Sequence, residues 1–238
     1  MSLLDGVDLV IFDKDGTLID FQAMWSGWVR DLAADLERAT GTRLEGPLFD
    51  VLGVDPASGR VLAHGLLAAT PMARIREVVV GTLRTGGVPA DEAEAAVAGA
   101  WHPPDPVTLA RPVGDLDRLL QALRTSGRRI AVATSDDRGP TERTLAALGV
   151  ADLVDGTACA DDGDGVKPSP AAVFRLCAAL GVAPARTAVV GDSVADLAMG
   201  RAAGAGRVIG VLTGVADETT LAPLADAVLG SIQELLPA

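Results

Sequence analysis

The sequence predicts an α/β protein, a doubly wound parallel sheet interrupted after its first strand by an all-helical insert. Three observations predict it. An apolar run near the N-terminus stops at an acidic, glycine-containing turn; helical and strand patterns alternate after residue 105; and the stretch between the two is helical in its periodicity.

Val7 to Phe12 is a short apolar run that ends in DKDG, so residues 8 to 12 form a buried strand that breaks at Gly16. Trp25, Trp28, Val29, Leu32 and Leu36 then recur at helical spacing with charged residues between them, and Gly41 stops that helix. Thr70-Pro71 reads as a cap followed by proline at the first helical position. Ile75, Val79 and Leu83 share a face, Gly86-Gly87 ends it, and an Ala-rich helix covers 91 to 101. Prolines concentrate in WHPPDP at 101 to 106, where helicity must end. Beyond them come a leucine-striped helix from Leu116 to Leu123, the strand RIAVAT, a helix ending at Gly149 and a short strand near 153 to 158. A helix from Ser169-Pro170 to Gly181, the strand TAVVGD, a helix near 194 to 203 and the strand RVIGVLTG complete the series. Strands separated by helices imply parallel pairing. The core is therefore expected over 1–19 and 105–238, and the helical insert over 20–104.

At 238 residues and 49% hydrophobic composition, the chain can bury a substantial core and is expected to be soluble and cytoplasmic. No apolar run approaches the roughly 18 residues of a membrane span, and charges interrupt the N-terminal segment where a signal core would lie. A formal net charge of -12 repels polyphosphate backbones, which argues against nucleic-acid binding and leaves small anionic substrates needing a local positive site. Cys159 and Cys177 lack the spacing of a zinc site or disulfide framework and read as packing residues. Lys14 and Lys167 are the chain's lysines, and every other Lys/Arg position is arginine. Both lysines fall inside acidic motifs, where a flexible ammonium differs from a planar fork.

Ligands of a parallel sheet bind beyond the carboxyl ends of its strands. Those ends carry Asp13-Lys14-Asp15-Gly16-Thr17, Thr134-Ser135-Asp136 and Gly191-Asp192-Ser193-Val194-Ala195-Asp196, with Lys167 in a loop before a helix. Phosphoryl transfer needs an in-line nucleophile, cations for the equatorial oxygens and a proton donor for the leaving oxygen, and this inventory meets each need. Gathered carboxylates repel unless a hard cation neutralises them, so a Mg²⁺ ion accounts for Asp13, Asp15 and Asp192 together. The acidic loop DDGDGVK, with Asp161, Asp162 and Asp164, does not match an EF-hand and reads as solvated.

FDKDGTL, the strand-ending Thr134, Lys167-Pro168 and GDSVAD resemble the four ordered motifs of the haloacid dehalogenase superfamily, over the whole core. The resemblance implies a Rossmann-like core with a helical cap. It makes Asp13 the nucleophile that forms an aspartyl-phosphate, and Asp15 the acid to the leaving alcohol and then the base for water. Mg²⁺ is implied at the Asp13 carboxylate, the Asp15 backbone carbonyl and Asp192, with Asp196 behind them or orienting Lys167. Thr134 and Lys167 would hold phosphoryl oxygens, joined by Lys14, Gly16 and Ser135. For Lys14 the backbone N–H is implied at phosphate, with the side chain directed to the cap or to solvent.

Asp15 distinguishes this chain from the dehalogenases and ion pumps of the superfamily, which carry no carboxylate there. Residues 20 to 104 contain no lysine, which excludes the Schiff-base phosphonate cleavers. A helical insert after the first strand and the stretch DDGDGVKPSP resemble phosphoglycolate phosphatases. The expected function is thus a phosphatase, a monomer or homodimer acting on a small-molecule phosphate ester: phosphoglycolate, a sugar phosphate or a phosphorylated metabolite. Alternatives are a sugar-phosphate mutase, although the surroundings of His64 and His102 match it poorly, and a catalytically silent binding protein. Phe21 and Trp25, at the start of the insert, are candidate substrate contacts, with packing as the alternative, and Arg60 and His64 mark a mid-insert segment.

Overall fold

The computed structural model describes residues 3–62, 65–68, 70–163 and 165–236. His64 and Asp164, singled out in the sequence, lie outside the described residues. The elements run β1 (Leu9–Phe12), α1 (Phe21–Thr40), α2 (Glu45–Leu52), α3 (Met72–Thr85), α4 (Ala90–Ala100), α5 (Pro106–Leu109), α6 (Leu116–Thr125), β2 (Arg129–Ala133), α7 (Arg138–Ala147) and β3 (Gly156–Ala158). They continue with α8 (Ala171–Leu180), β4 (Thr187–Gly191), α9 (Val194–Ala202), β5 (Arg207–Val211), α10 (Glu218–Leu221) and β6 (Ala227–Leu229). Two compact units result, Met1–Phe21 with Pro106–Ala238, and Gln22–Asp105.

In the first unit six parallel strands follow the order β3-β2-β1-β4-β5-β6. β1 is central, and Phe12 stands opposite Val132 on one side and Val190 on the other. Its four residues are all buried because both faces of the sheet are covered. Val10 and Phe12 pack with Leu119, Leu120 and Leu123 of α6, while Leu9 and Ile11 pack with Val173 and Leu176 of α8 and Met199 of α9. Each such burial contributes about 1.5–3 kcal/mol, so the strand that carries the first acidic motif is firmly held.

The seam between the units falls slightly later than the sequence suggested. Asp20 N–H donates to Arg111 O at 2.8 Å and Ile19 bridges Pro112, which keeps the chain tied to the core until Phe21. α1 begins there and ends at Thr40, with Gly41 beyond it in the left-handed region. Glu37 then accepts from Leu44 N–H at 2.6 Å and Glu45 N–H at 2.9 Å, satisfying the open donors that start α2. Pro71 is not the first helical residue as expected. It is extended, and its carbonyl accepts from Arg74 and Ile75, so α3 starts one residue later. Residues 151–153 form a turn, and the strand there starts only at Gly156. β6 was not foreseen, being three residues long with no periodicity to read. The helical unit also contains an antiparallel bridge between Val54 and Val61. Among the described residues, no helix is long and apolar enough to cross a membrane.

Candidate active site

The strand order reverses between β1 and β4, and a carboxylate follows each strand. Such a crevice at the strand ends is where doubly wound sheets hold ligands. Asp13 N–H donates to Val190 O at 2.9 Å, extending the ladder by one residue and fixing the backbone that presents its carboxylate. Lys167 Nζ lies 2.6 Å from Asp13 Oδ1 and 2.6 Å from Asp196 Oδ1. Asp196 sits in the first turn of α9, where its Oδ2 accepts from the Ser193 hydroxyl at 2.6 Å and the Ser193 N–H at 3.1 Å. Ser193 in turn caps the helix, so the capping box that starts α9 also fixes the carboxylate that holds Lys167.

Asp192 follows β4, and its Oδ2 accepts from Val215 N–H at 3.0 Å. Asp13, Asp192 and Asp196 each offer an oxygen within 4.8 Å of the others. All three are buried, at 8%, 3% and 3% exposure. Burial pushes the Asp13 carboxyl up to about 7, and Asp196 and Asp15 add repulsion that Lys167 only partly offsets. Burial likewise holds Asp192 well above the usual carboxylate range, reinforced by Asp13 and Asp196. Three carboxylates facing one ammonium leave an excess of negative charge in a desolvated place. A hard divalent cation with oxygen ligands is the group whose chemistry fits that donor set.

The Asp15 carboxylate does not join this group. Lys14 Nζ lies 2.6 Å from Asp15 Oδ2 and 3.3 Å from Asp136 Oδ2. The Lys14 side chain, for which the resemblance left two directions open, is buried, with two carboxylates of the core unit beside its ammonium. Burial works against its charge, yet Asp15 and then Asp136 outweigh it and hold the ammonium above its usual value. The Gly16 N–H donates to Ile19 O at 2.8 Å. Gly16 also has a steric role, because with φ at +91° a Cβ would stand 2.6 Å from Asp192 Cγ.

The loop after β5 completes the support of Asp192, and the sequence reading missed it. Thr213 Oγ1 donates to Gly16 O at 2.6 Å. A Cβ on Gly214 would fall onto the Asp192 carboxylate. The signal was available in LTG closing an apolar strand, but no neighbouring charge drew notice to it. Gly214→Ala is expected to cost about 1–3 kcal/mol through this overlap, read as a lower Tm in a thermal melt; an unchanged Tm would show that the loop yields freely.

Thr134 and Ser135, after β2, line one small cleft with Lys167. Thr134 Oγ1 accepts from Asp136 N–H at 3.1 Å, which orients the hydroxyl and leaves its proton to donate. Asp162 is not the solvated residue expected. Arg138 Nη2 reaches its two oxygens at 2.7 and 2.8 Å, Arg175 Nη2 lies at 2.5 Å, and Cys159 N–H donates at 2.8 Å. Neither arginine belongs to a motif, so the sequence alone did not pair them. This clasp ties α7 and α8 to the loop that leads to Lys167. Cys159 and Cys177 are buried free thiols, as expected.

In the helical unit, Trp25 meets Trp28 edge-on with centroids 5.5 Å apart, and Trp28 meets Trp101 at 5.3 Å. Trp25 and Phe21 are both buried. Arg60 and His102 are exposed.

A doubly wound sheet with an inserted helical unit and a carboxylate–lysine cluster at its central strand ends defines a class of hydrolases. The chain belongs to the haloacid dehalogenase-like hydrolase family, whose model matches residues 7–204. It is 31% identical over 200 residues to a phosphoglycolate phosphatase of Rhodospirillum rubrum, covering 82% of this chain and 76% of that protein. An N-acetylmuramic acid 6-phosphate phosphatase of Pseudomonas aeruginosa is 27% identical over 195 residues, covering 82% and 77% respectively. The crystal structure of a predicted phosphoglycolate phosphatase from Haemophilus somnus shares the fold with a TM-score of 0.69 at 20% identity, over 97% of each chain.

Proposed function

We propose that the chain is a phosphomonoester hydrolase that requires Mg²⁺ and works through an aspartyl-phosphate on Asp13. The observation that carries this reading is the Asp13–Lys167–Asp196 bridge beside Asp192, with Asp15 held separately by Lys14. Lys167 engages Oδ1 of Asp13 and leaves Oδ2 to attack phosphorus. As the P–O ester bond breaks, Asp15 gives its proton to the leaving oxygen. Asp15 then takes a proton from the water that attacks the aspartyl-phosphate, releasing inorganic phosphate and restoring Asp13. The Thr134 hydroxyl, the Ser135 hydroxyl, the Lys14 backbone N–H and the Lys167 ammonium bind phosphoryl oxygens through the cycle. The carboxylates of Asp13 and Asp192 and the Asp15 backbone carbonyl would hold Mg²⁺, which would supply positive charge to the phosphoryl group. Asp196 has both oxygens engaged by Lys167 and Ser193, which suits it to orienting the lysine.

The substrate is a small phosphate ester, and the helical unit, residues 22–105, acts as the cap that selects it. The relatives act on a phosphorylated two-carbon acid and on a sugar phosphate, by their names, and both kinds belong in the first panel. The test is release of phosphate from that panel. We expect turnover with Mg²⁺, loss of at least about 100-fold on chelation, and recovery when Mg²⁺ is returned. Release unaffected by chelator would remove the metal from the reading. No release from any ester, or isomerised sugar phosphate in its place, would overturn the hydrolase itself.

A further inference from the structure

Each of the chain's two lysines lies between two carboxylates, Lys167 with a hydrogen bond to each and Lys14 through ion pairs without hydrogen-bond geometry. Lys167 bridges Asp13 and Asp196; Lys14 bridges Asp15 and Asp136. In each pair one carboxylate is assigned to the chemistry above, and the other lies behind it. We propose that Lys14, anchored by Asp136, is a positioning residue that holds the Asp15 carboxylate in the orientation its proton transfers require. This inference rests on the acid–base assignment of Asp15 in the preceding section.

The argument is geometric. Lys14 is 1% exposed, and its Nζ meets Asp15 Oδ2 at 2.6 Å. An ammonium that close to one oxygen restricts rotation of the carboxyl group about Cβ–Cγ. Asp136 is itself fixed, because its N–H donates to Thr134 Oγ1 at 3.1 Å and its carbonyl accepts from Ala160 N–H at 2.9 Å. The ammonium is thus referred to the end of β2, while Asp15 belongs to the turn after β1. Burying a lysine in such a place costs several kcal/mol unless its partners hold it. A compact ammonium on a flexible stem fits between two carboxylates where a planar guanidinium would need room for a fork. That accounts for a lysine here in a chain that uses arginine at its other cationic positions outside the Lys167 site.

The experiment compares kcat/KM for two esters, glycerol 2-phosphate with a poor leaving group and p-nitrophenyl phosphate with a good one. This constant reports the steps up to departure of the leaving group, the first place Asp15 acts. Asp15→Asn is the reference and should lower the alkyl-to-aryl ratio about 100-fold or more. Lys14→Met is expected to lower the same ratio about tenfold, as a displaced catalytic group does, and to lower it no further when added to Asp15→Asn. Equal losses on both esters, or no loss, would overturn the proposal. Lys14→Met/Asp136→Leu separates positioning from simple charge balance: the ratio stays low if Lys14 positions Asp15, and its recovery would overturn the idea. If Lys14→Met melts before assay temperature, Asp136→Asn decides, with a fall of about threefold expected and an unchanged ratio counting against. An unaltered ratio in Asp15→Asn would instead remove the acid–base assignment itself, so the two failures are distinguishable.

Discussion

Asp13→Asn is expected to abolish turnover, with a loss of at least about 10³-fold on every ester. The amide keeps the shape of the side chain but removes the oxygen proposed to attack phosphorus and one of the charges proposed to hold the cation. The fold should not suffer. With the Asp13 carboxyl pushed up to about 7 from an ordinary 3.8, the folded state binds this proton more tightly than the unfolded chain. The stability that this tighter binding contributes is complete below about pH 4 and is lost as pH rises through about 7. A neutral isostere escapes that loss, so the metal-free variant should melt no lower than wild type at pH 8. Residual activity above a few per cent would show that the nucleophile lies elsewhere, and a sharply lower Tm would show that the Lys167 bridge is structural first.

Asp15→Asn should spare phosphate binding while lowering kcat on an alkyl phosphate by about 10²–10⁴-fold, the span of general acid–base catalysis. Neither the departing alkoxide nor the attacking water has another carboxylate assigned to its proton. The phosphorylated Asp13 should also persist, since its hydrolysis needs the same group as base, and a burst of p-nitrophenol ahead of slow turnover would register it. Inhibition by inorganic phosphate close to that of wild type is the control for an intact site. An unchanged rate on the alkyl ester would refute the acid role.

Much of the site was legible because its grammar is local. Asp13 and Asp192 each follow a continuous apolar run, and a run that cannot alternate must be a strand covered on both faces. The helix expected near 194 to 203 is α9, and the Ser193 cap that starts it also holds Asp196 in place. Other parts were not legible, for reasons that can be named. The hydrogen bond from the Gly16 N–H to Ile19 O closes a turn that no residue pattern marks. Asp162 reads as solvated until Arg138 and Arg175 arrive from two different helices.

The order of the strands' chemical groups, the inserted helical unit and the carboxylates at the strand ends were set by the sequence itself, since periodicity and turn residues act over a few neighbours. Tertiary structure alone decided who some of the partners are: Lys14 with Asp136, and Gly214 against Asp192. These contacts cross from one strand end to another. They are selected by how the parallel strands order themselves and by the cost of leaving a buried charge uncompensated, and neither is written within any short stretch of chain.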